Sequence, residues 1–181
     1  MKVSTINEYG QLKSVILGGV ENFKWPDQDK EFNKGISRST YHETLTDKTP
    51  PDHVIQEARD DLSLIMEHRG IEVHRSAVAG EHWSYSARDI LLTVGNKIIQ
   101  CPTPFSSRAN ELERYPFLQD IECEIIKAPR PMTKQDPMFD AANVLKMDDK
   151  LLYSLSHSAN EAGAEWLQHQ VGNQFEVIKW R

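Results

Sequence analysis

The sequence predicts a modular α/β fold in which a strand, strand, helix, strand unit is written more than once. Lys97-Ile98-Ile99-Gln100 is matched by Lys150-Leu151-Leu152-Tyr153, and Glu124-Ile125-Ile126-Lys127 by Glu176-Val177-Ile178-Lys179 at nearly the same separation. Apolar runs broken by the turn signals Gly95-Asn96 and Asp148-Asp149 precede each pair. Self-similarity on this scale belongs to units that hide their apolar faces by stacking on neighbours.

The elements follow in order. Residues 12–19, a β-branched apolar run closed by Gly18-Gly19, predict a buried first strand. From 20 to 51 the pattern dissolves between Trp25-Pro26 and Pro50-Pro51 into a long loop, which in a compact domain is usually functional. Asp52 is placed to cap a helix whose core stripe is Val54, Ala58, Leu62, Ile65 and Met66, stopped at Gly70. Residues 71–77 give the next strand. Residues 89–100 predict a hairpin around Gly95-Asn96, then Ser106 or Ser107 opens a polar helix broken near Pro116, and 123–127 is a strand. The last unit reads as strands 143–147 and 150–154, a helix opened by Ser158 or Asn160 and ended at Gly172-Asn173, and a strand over 175–180. An array that stops there leaves an apolar edge open to a partner or to aggregation.

The 181 residues suffice for about one domain. With 21 Lys+Arg against 27 Asp+Glu and a net charge of -6, and with no basic block interleaved with aromatics, a nucleic-acid surface is not expected. A cationic small molecule suits this balance better. No run approaches the ~20 apolar residues of a membrane span, and residues 1–9 carry no apolar signal region, so a cytoplasmic chain without a membrane partner is expected. Cys101 and Cys123 are read as two buried, reduced thiols. None of the seven histidines has a ligand-like spacing, so neither a metal nor a cofactor is expected.

The residues that carry chemistry are acids. Asp140 heads Phe139-Asp140-Ala141-Ala142-Asn143-Val144-Leu145, an apolar stretch with no basic neighbour, behind the extended approach marked by Pro129, Pro131 and Pro137. Arg88-Asp89 begins the preceding hairpin as Asp140 precedes the next. Carboxylates at comparable places in successive repeats converge on one axis, where a pair of them would hold a planar guanidinium through charge-assisted hydrogen bonds. The plainer alternative is a strand-end aspartate that satisfies backbone donors. Arg108 is either a holder of a substrate carboxylate or a solvated helix arginine. Cys101, as a nucleophile, would need a positioned base that the sequence does not name.

Several segments, in order and across nearly the whole chain, resemble the amidinotransferase branch of the guanidino-modifying enzymes, the family of glycine amidinotransferase. They are Glu8-Tyr9-Gly10-Gln11-Leu12-Lys13-Ser14-Val15-Ile16-Leu17-Gly18, Arg88-Asp89-Ile90-Leu91, Gly95-Asn96-Lys97-Ile98-Ile99, Ser107-Arg108, Phe139-Asp140-Ala141-Ala142, and Ser156 with Asn160, Gly163, Glu165 and Trp166. The resemblance implies a partial pentein-type β/α propeller, about three ββαβ modules (approximately 1–80, 81–129 and 130–181) of a five-module fold. It implies an arginine donor attacked by a cysteine, with histidine moving protons and an acceptor amine such as glycine taking the amidino group. Asp140 matches the aspartate that works with that histidine, and Asp89 a guanidinium-binding aspartate. The family's His-Ile-Asp segment and Gly-Gly-x-His-Cys nucleophile do not occur in this sequence, and Asn143 stands where a second acid is common. The expectation is therefore the N-terminal, substrate-binding portion of an amidinotransferase, inactive alone and completed by a C-terminal chain or by self-association. The competing expectation is a noncatalytic guanidino-binding or interaction module.

Overall fold

The computed structural model describes residues 3–19, 51–76, 86–104, 108 and 110–181. The segment 20–50, Ser106, Ser107, His42 and His82 lie outside them. The chain divides into two compact units. One comprises Met1–Gly10, Arg88–Pro104 and Leu118–Arg181, and the other Gln11–Ala87 and Phe105–Phe117.

In the second of these units β1 (Ser14–Leu17) pairs in parallel with β2 (Glu72–Arg75), Ser14 opposite Glu72 and Leu17 opposite Arg75. A parallel pair needs a crossover, which α1 (Asp52–His68) supplies. Here the structure corrects two expectations. The N-cap position is Pro51, whose extended ψ of 146° admits the chain to the helix, so Asp52 lies within the first turn rather than capping it. Val54, Leu62 and Ile65 of the expected core stripe are 42%, 40% and 59% exposed, while Ser63 is buried. Periodicity found the helix but not what covers it. Gly70 ends it at φ +73°, the left-handed conformation glycine adopts without penalty.

The other unit holds the two repeats. α2 (Ala87–Ile90), a single turn, leads into β3 (Leu91–Val94), which pairs antiparallel with β4 (Lys97–Gln100); β4 pairs in parallel with β5 (Glu124–Lys127). Asp89 and Ile90, expected in the hairpin strand, are thus helical. The polar helix expected after 106 is absent among the described residues, where 3-10 turns at Glu111–Arg114 and Pro116–Asp120 stand instead. The next sheet repeats the plan: β6 (Val144–Met147) antiparallel to β7 (Lys150–Ser154), and β7 parallel to β8 (Glu176–Trp180). Asp148 takes the left-handed turn position at φ 56°, tolerable for an Asp.

Between β7 and β8 runs α3 (Glu161–Val171). Asn160 caps it, its Oδ1 accepting the Gly163 N–H at 2.7 Å. The same side chain donates through Nδ2 to the carbonyls of Lys134 and Asp136, fastening the proline-rich approach to the helix start. Leu92, Val94, Ile99, Phe139, Val144, Leu151, Tyr153, Leu167 and Val171 form one core. Phe139 meets Tyr153 edge-on at 5.6 Å.

Candidate functional site

Backbone pairing brings the two predicted acids to one place. β4 continues past Gln100 into Cys101 and Pro102; the Cys101 N–H donates to the Ile90 carbonyl at 2.8 Å, and the Phe139 N–H donates to the Pro102 carbonyl at 3.3 Å. Ile90 follows Asp89 and Phe139 precedes Asp140, so the acids flank the same dipeptide from either side. Their electrostatics agree with this. The Cys101 thiol is pushed well up, first by burial and then by the Asp140 charge, with Asp89 adding in the same direction and Arg88 opposing. Asp89 and Asp140 thus each adjoin a residue bonded to the Cys101-Pro102 backbone.

Asp140 sits at the N-cap position of the 3-10 turn Ala141–Asn143, in extended backbone at φ -97° and ψ 147°. Its N–H donates to Asn143 Oδ1 at 3.2 Å, and the Asn143 N–H donates to its carbonyl at 2.9 Å. Asn143 Nδ2 donates in turn to Ser156 Oγ at 3.2 Å, and Ser156 and Ser158 share a hydroxyl contact. The amide at 143 thus both accepts and donates, which a second carboxylate there would not do. Asp140 Oδ1 is buried.

Around Arg88 lies a cluster that sequence reasoning did not single out. The Arg88 guanidinium donates to the Val144 carbonyl at 2.9 Å and to Glu8 Oε1 at 3.2 Å. Glu8 also receives the Lys146 ammonium at 2.8 Å, although Lys146 is 4% exposed. Burial works to raise the Glu8 carboxyl, but Lys146 and Arg88 outweigh it and hold it below the usual carboxylate range. Burial pulls Lys146 down against the opposing pull of Glu8. The available signal was the position of Lys146, two residues after the inward-facing Val144.

Arg108 belongs to the other unit. It is 3% exposed, which excludes the solvated helix arginine. Its Nε and Nη2 donate to the two oxygens of Glu111 at 2.9 Å each, and Nη2 donates to the Ser86 carbonyl at 2.8 Å. Cys123 is half-buried rather than buried, and both cysteines are free thiols. Among the described residues no His, Cys, Asp and Glu cluster suits a metal ion, and no helix is long and apolar enough to cross a membrane.

The chain is 30% identical to the inosamine-phosphate amidinotransferase 1 of Streptomyces griseus, over 97% of this chain and 61% of that one. It is 25% identical to the mitochondrial glycine amidinotransferase of Xenopus laevis, over 97% of this chain and 54% of that one. The solved structure of the Streptomyces griseus enzyme superposes with a TM-score of 0.87 at 29% identity, covering 99% of this chain and 62% of its own. The chain is similar to amidinotransferases over nearly its whole length. No family-wide sequence profile matches it. Likeness extends at the level of fold to the DDAH of Pseudomonas aeruginosa, with a TM-score of 0.63 at 11% identity over 95% of this chain and 62% of that one. The α/β architecture expected from the repeats is therefore that of a partial pentein-type β/α propeller. The chain spans about three fifths of the length of the relatives it matches.

Proposed function

We propose that the chain is the substrate-binding portion of an amidinotransferase that moves an amidino group from L-arginine to an acceptor amine such as glycine, and that it does not turn over alone. The observation that supports this is the placement of Asp89 and Asp140 on either side of Cys101-Pro102, next to Ile90 and Phe139, which bond to that dipeptide's backbone. Two carboxylates so placed can accept N–H bonds from the edges of one planar guanidinium and fix its orientation. Binding is not cleavage, however. Attack at the guanidino carbon needs a thiolate, and burial raises both Cys101 and Cys123, which disfavours that form. Asp140 is assigned to orienting substrate and proton carrier, and Asp89 to the guanidinium.

Calorimetric titration with L-arginine, and an assay for ornithine and guanidinoacetate with arginine and glycine present, test the proposal together. Binding is expected for the intact chain and at least about tenfold weaker binding for Asp89→Asn and Asp140→Asn, the loss of roughly one charge-assisted contact. No product is expected. Turnover at an enzyme-like rate overturns the claim of inactivity, and binding untouched by either substitution overturns the site.

A further inference from the structure

The segment around Glu8 lies across both hairpins. Thr5 exchanges backbone bonds with Gly95, at the turn between β3 and β4, donating at 2.9 Å and accepting at 2.6 Å. Asn7 bridges Met147 at the turn between β6 and β7, and its Nδ2 donates to Asp148 Oδ1 at 2.8 Å. The Tyr9 hydroxyl donates to the other oxygen of the same carboxylate. Glu8 is therefore fixed on either side of its own position, between the two repeats.

Its carboxylate joins groups from both. Glu8 Oε1 accepts from Arg88 Nη2 at 3.2 Å, from the Lys146 ammonium at 2.8 Å and from the Lys146 N–H at 3.4 Å. The same Arg88 nitrogen donates to the Val144 carbonyl at 2.9 Å. Arg88 immediately precedes Asp89 in α2, and Val144 closes the 3-10 turn that Asp140 opens. One guanidinium nitrogen thus spans the two segments that carry the acids. The Arg88 and Glu8 side chains are 42% and 38% exposed, and an ion pair this open adds little to stability. Its contribution is a fixed position, because Arg88 is anchored on a backbone carbonyl and Glu8 on a buried ammonium.

We propose that Glu8 and Arg88 are positioning residues for the guanidinium site: Glu8 holds the Arg88 guanidinium on the Val144 carbonyl, and this bridge sets the separation of Asp89 and Asp140. The proposal rests on the reading of those two acids as the guanidinium site. A carboxylate pair grips a planar guanidinium from two edges only at a matched spacing and orientation, which the surrounding side chains must hold. By charge alone Arg88 works against binding, since it is a cation beside a site for a cation. Its geometric duty offsets that cost.

The test is calorimetric titration of the full chain with L-arginine, in three variants shown by circular dichroism to be folded at the titration temperature. Glu8→Gln and Arg88→Met are each expected to bind at least about tenfold more weakly. Lys146→Met removes the buried ammonium but leaves the Glu8–Arg88–Val144 bridge, and is expected to stay within about twofold of the unaltered chain. A long-range charge effect has the opposite signature, weakening binding in Glu8→Gln and tightening it in Arg88→Met. Tighter binding by Arg88→Met therefore overturns the proposal, and this sign decides the matter even where Glu8→Gln fails to fold. Equal losses in Glu8→Gln and Lys146→Met also overturn it, reducing Glu8 to a support of the fold. Arginine binding retained by all three variants defeats the bridge alone, whereas no binding by the unaltered chain defeats the guanidinium site and the bridge with it.

Discussion

Lys146 shows how one side chain is fixed by its neighbours in a strand. Val144 must face the core, the period of two then turns Lys146 to the same side, and its ammonium is left 5% exposed against Glu8. A buried ammonium is tolerable when paired, so Glu8→Gln is expected to cost about 1–3 kcal/mol in chemical denaturation. The pH dependence follows in sign. The folded Glu8 carboxyl titrates below its unfolded value, so its contribution is present at neutral pH and is lost as pH falls through the folded pKa. The midpoint of unfolding should therefore fall in acid, and part of that fall should vanish in Glu8→Gln. Arg108 and Glu111 make the stronger pair, with side chains 3% and 0% exposed. Arg108→Ala withdraws the guanidinium from a buried carboxylate and is expected to cost about 3–5 kcal/mol. The phenol of Tyr115 is pushed up to about 12, first by burial and then by the Glu111 charge, so it stays protonated throughout this range.

At the scale of the element, α3 is placed by a close approach. A Cβ on Gly163 would lie 2.6 Å from the Met138 carbonyl oxygen and 2.5 Å from the Tyr153 hydroxyl. The Tyr153 hydroxyl donates to the carbonyls of Met138 and Asn160, so neither neighbour is free to retreat. Gly163→Ala should therefore destabilise by about 1–3 kcal/mol despite alanine's better helix propensity, measured by denaturant titration. Gly95 is constrained differently, by φ +57° and by Phe175 Cε2 at 3.3 Å from a would-be Cβ. Gly95-Asn96 and Asp148-Asp149 were legible as turns while the 3-10 turns 111–114 and 116–120 were not. Turn chemistry is local, whereas a helix of polar residues interrupted by Pro116 has no period strong enough to distinguish α from 3-10 winding.

At the scale of the whole chain, the repeated unit meets two different fates. Leu92 is 0% exposed and its counterpart Leu145 is 48% exposed. In the chain alone, Leu92→Ala should cost about 2–5 kcal/mol in thermal or chemical unfolding, while Leu145→Ala should stay within about 0.5 kcal/mol. The repeat was readable because identical registers demand similar residues at similar places. The exposed stripe of α1 and the open face of β6, β7 and β8 were not, because periodicity reports that a side chain needs cover and is silent about what supplies it.

Local chemistry in the sequence determined the strands, the hairpin turns, a last helix opened by Ser158 or Asn160, and the resemblance to amidinotransferases. Each of these depends on residues a few positions apart or on a pattern recurring at fixed spacing. Tertiary structure alone decided that Cys101-Pro102 stands between the two acids, that Lys146 is buried on Glu8, that Arg108 is locked to Glu111, and which of two equivalent apolar faces is covered. Those outcomes are set by distances between residues far apart in the chain, and such distances exist only once the backbone has closed.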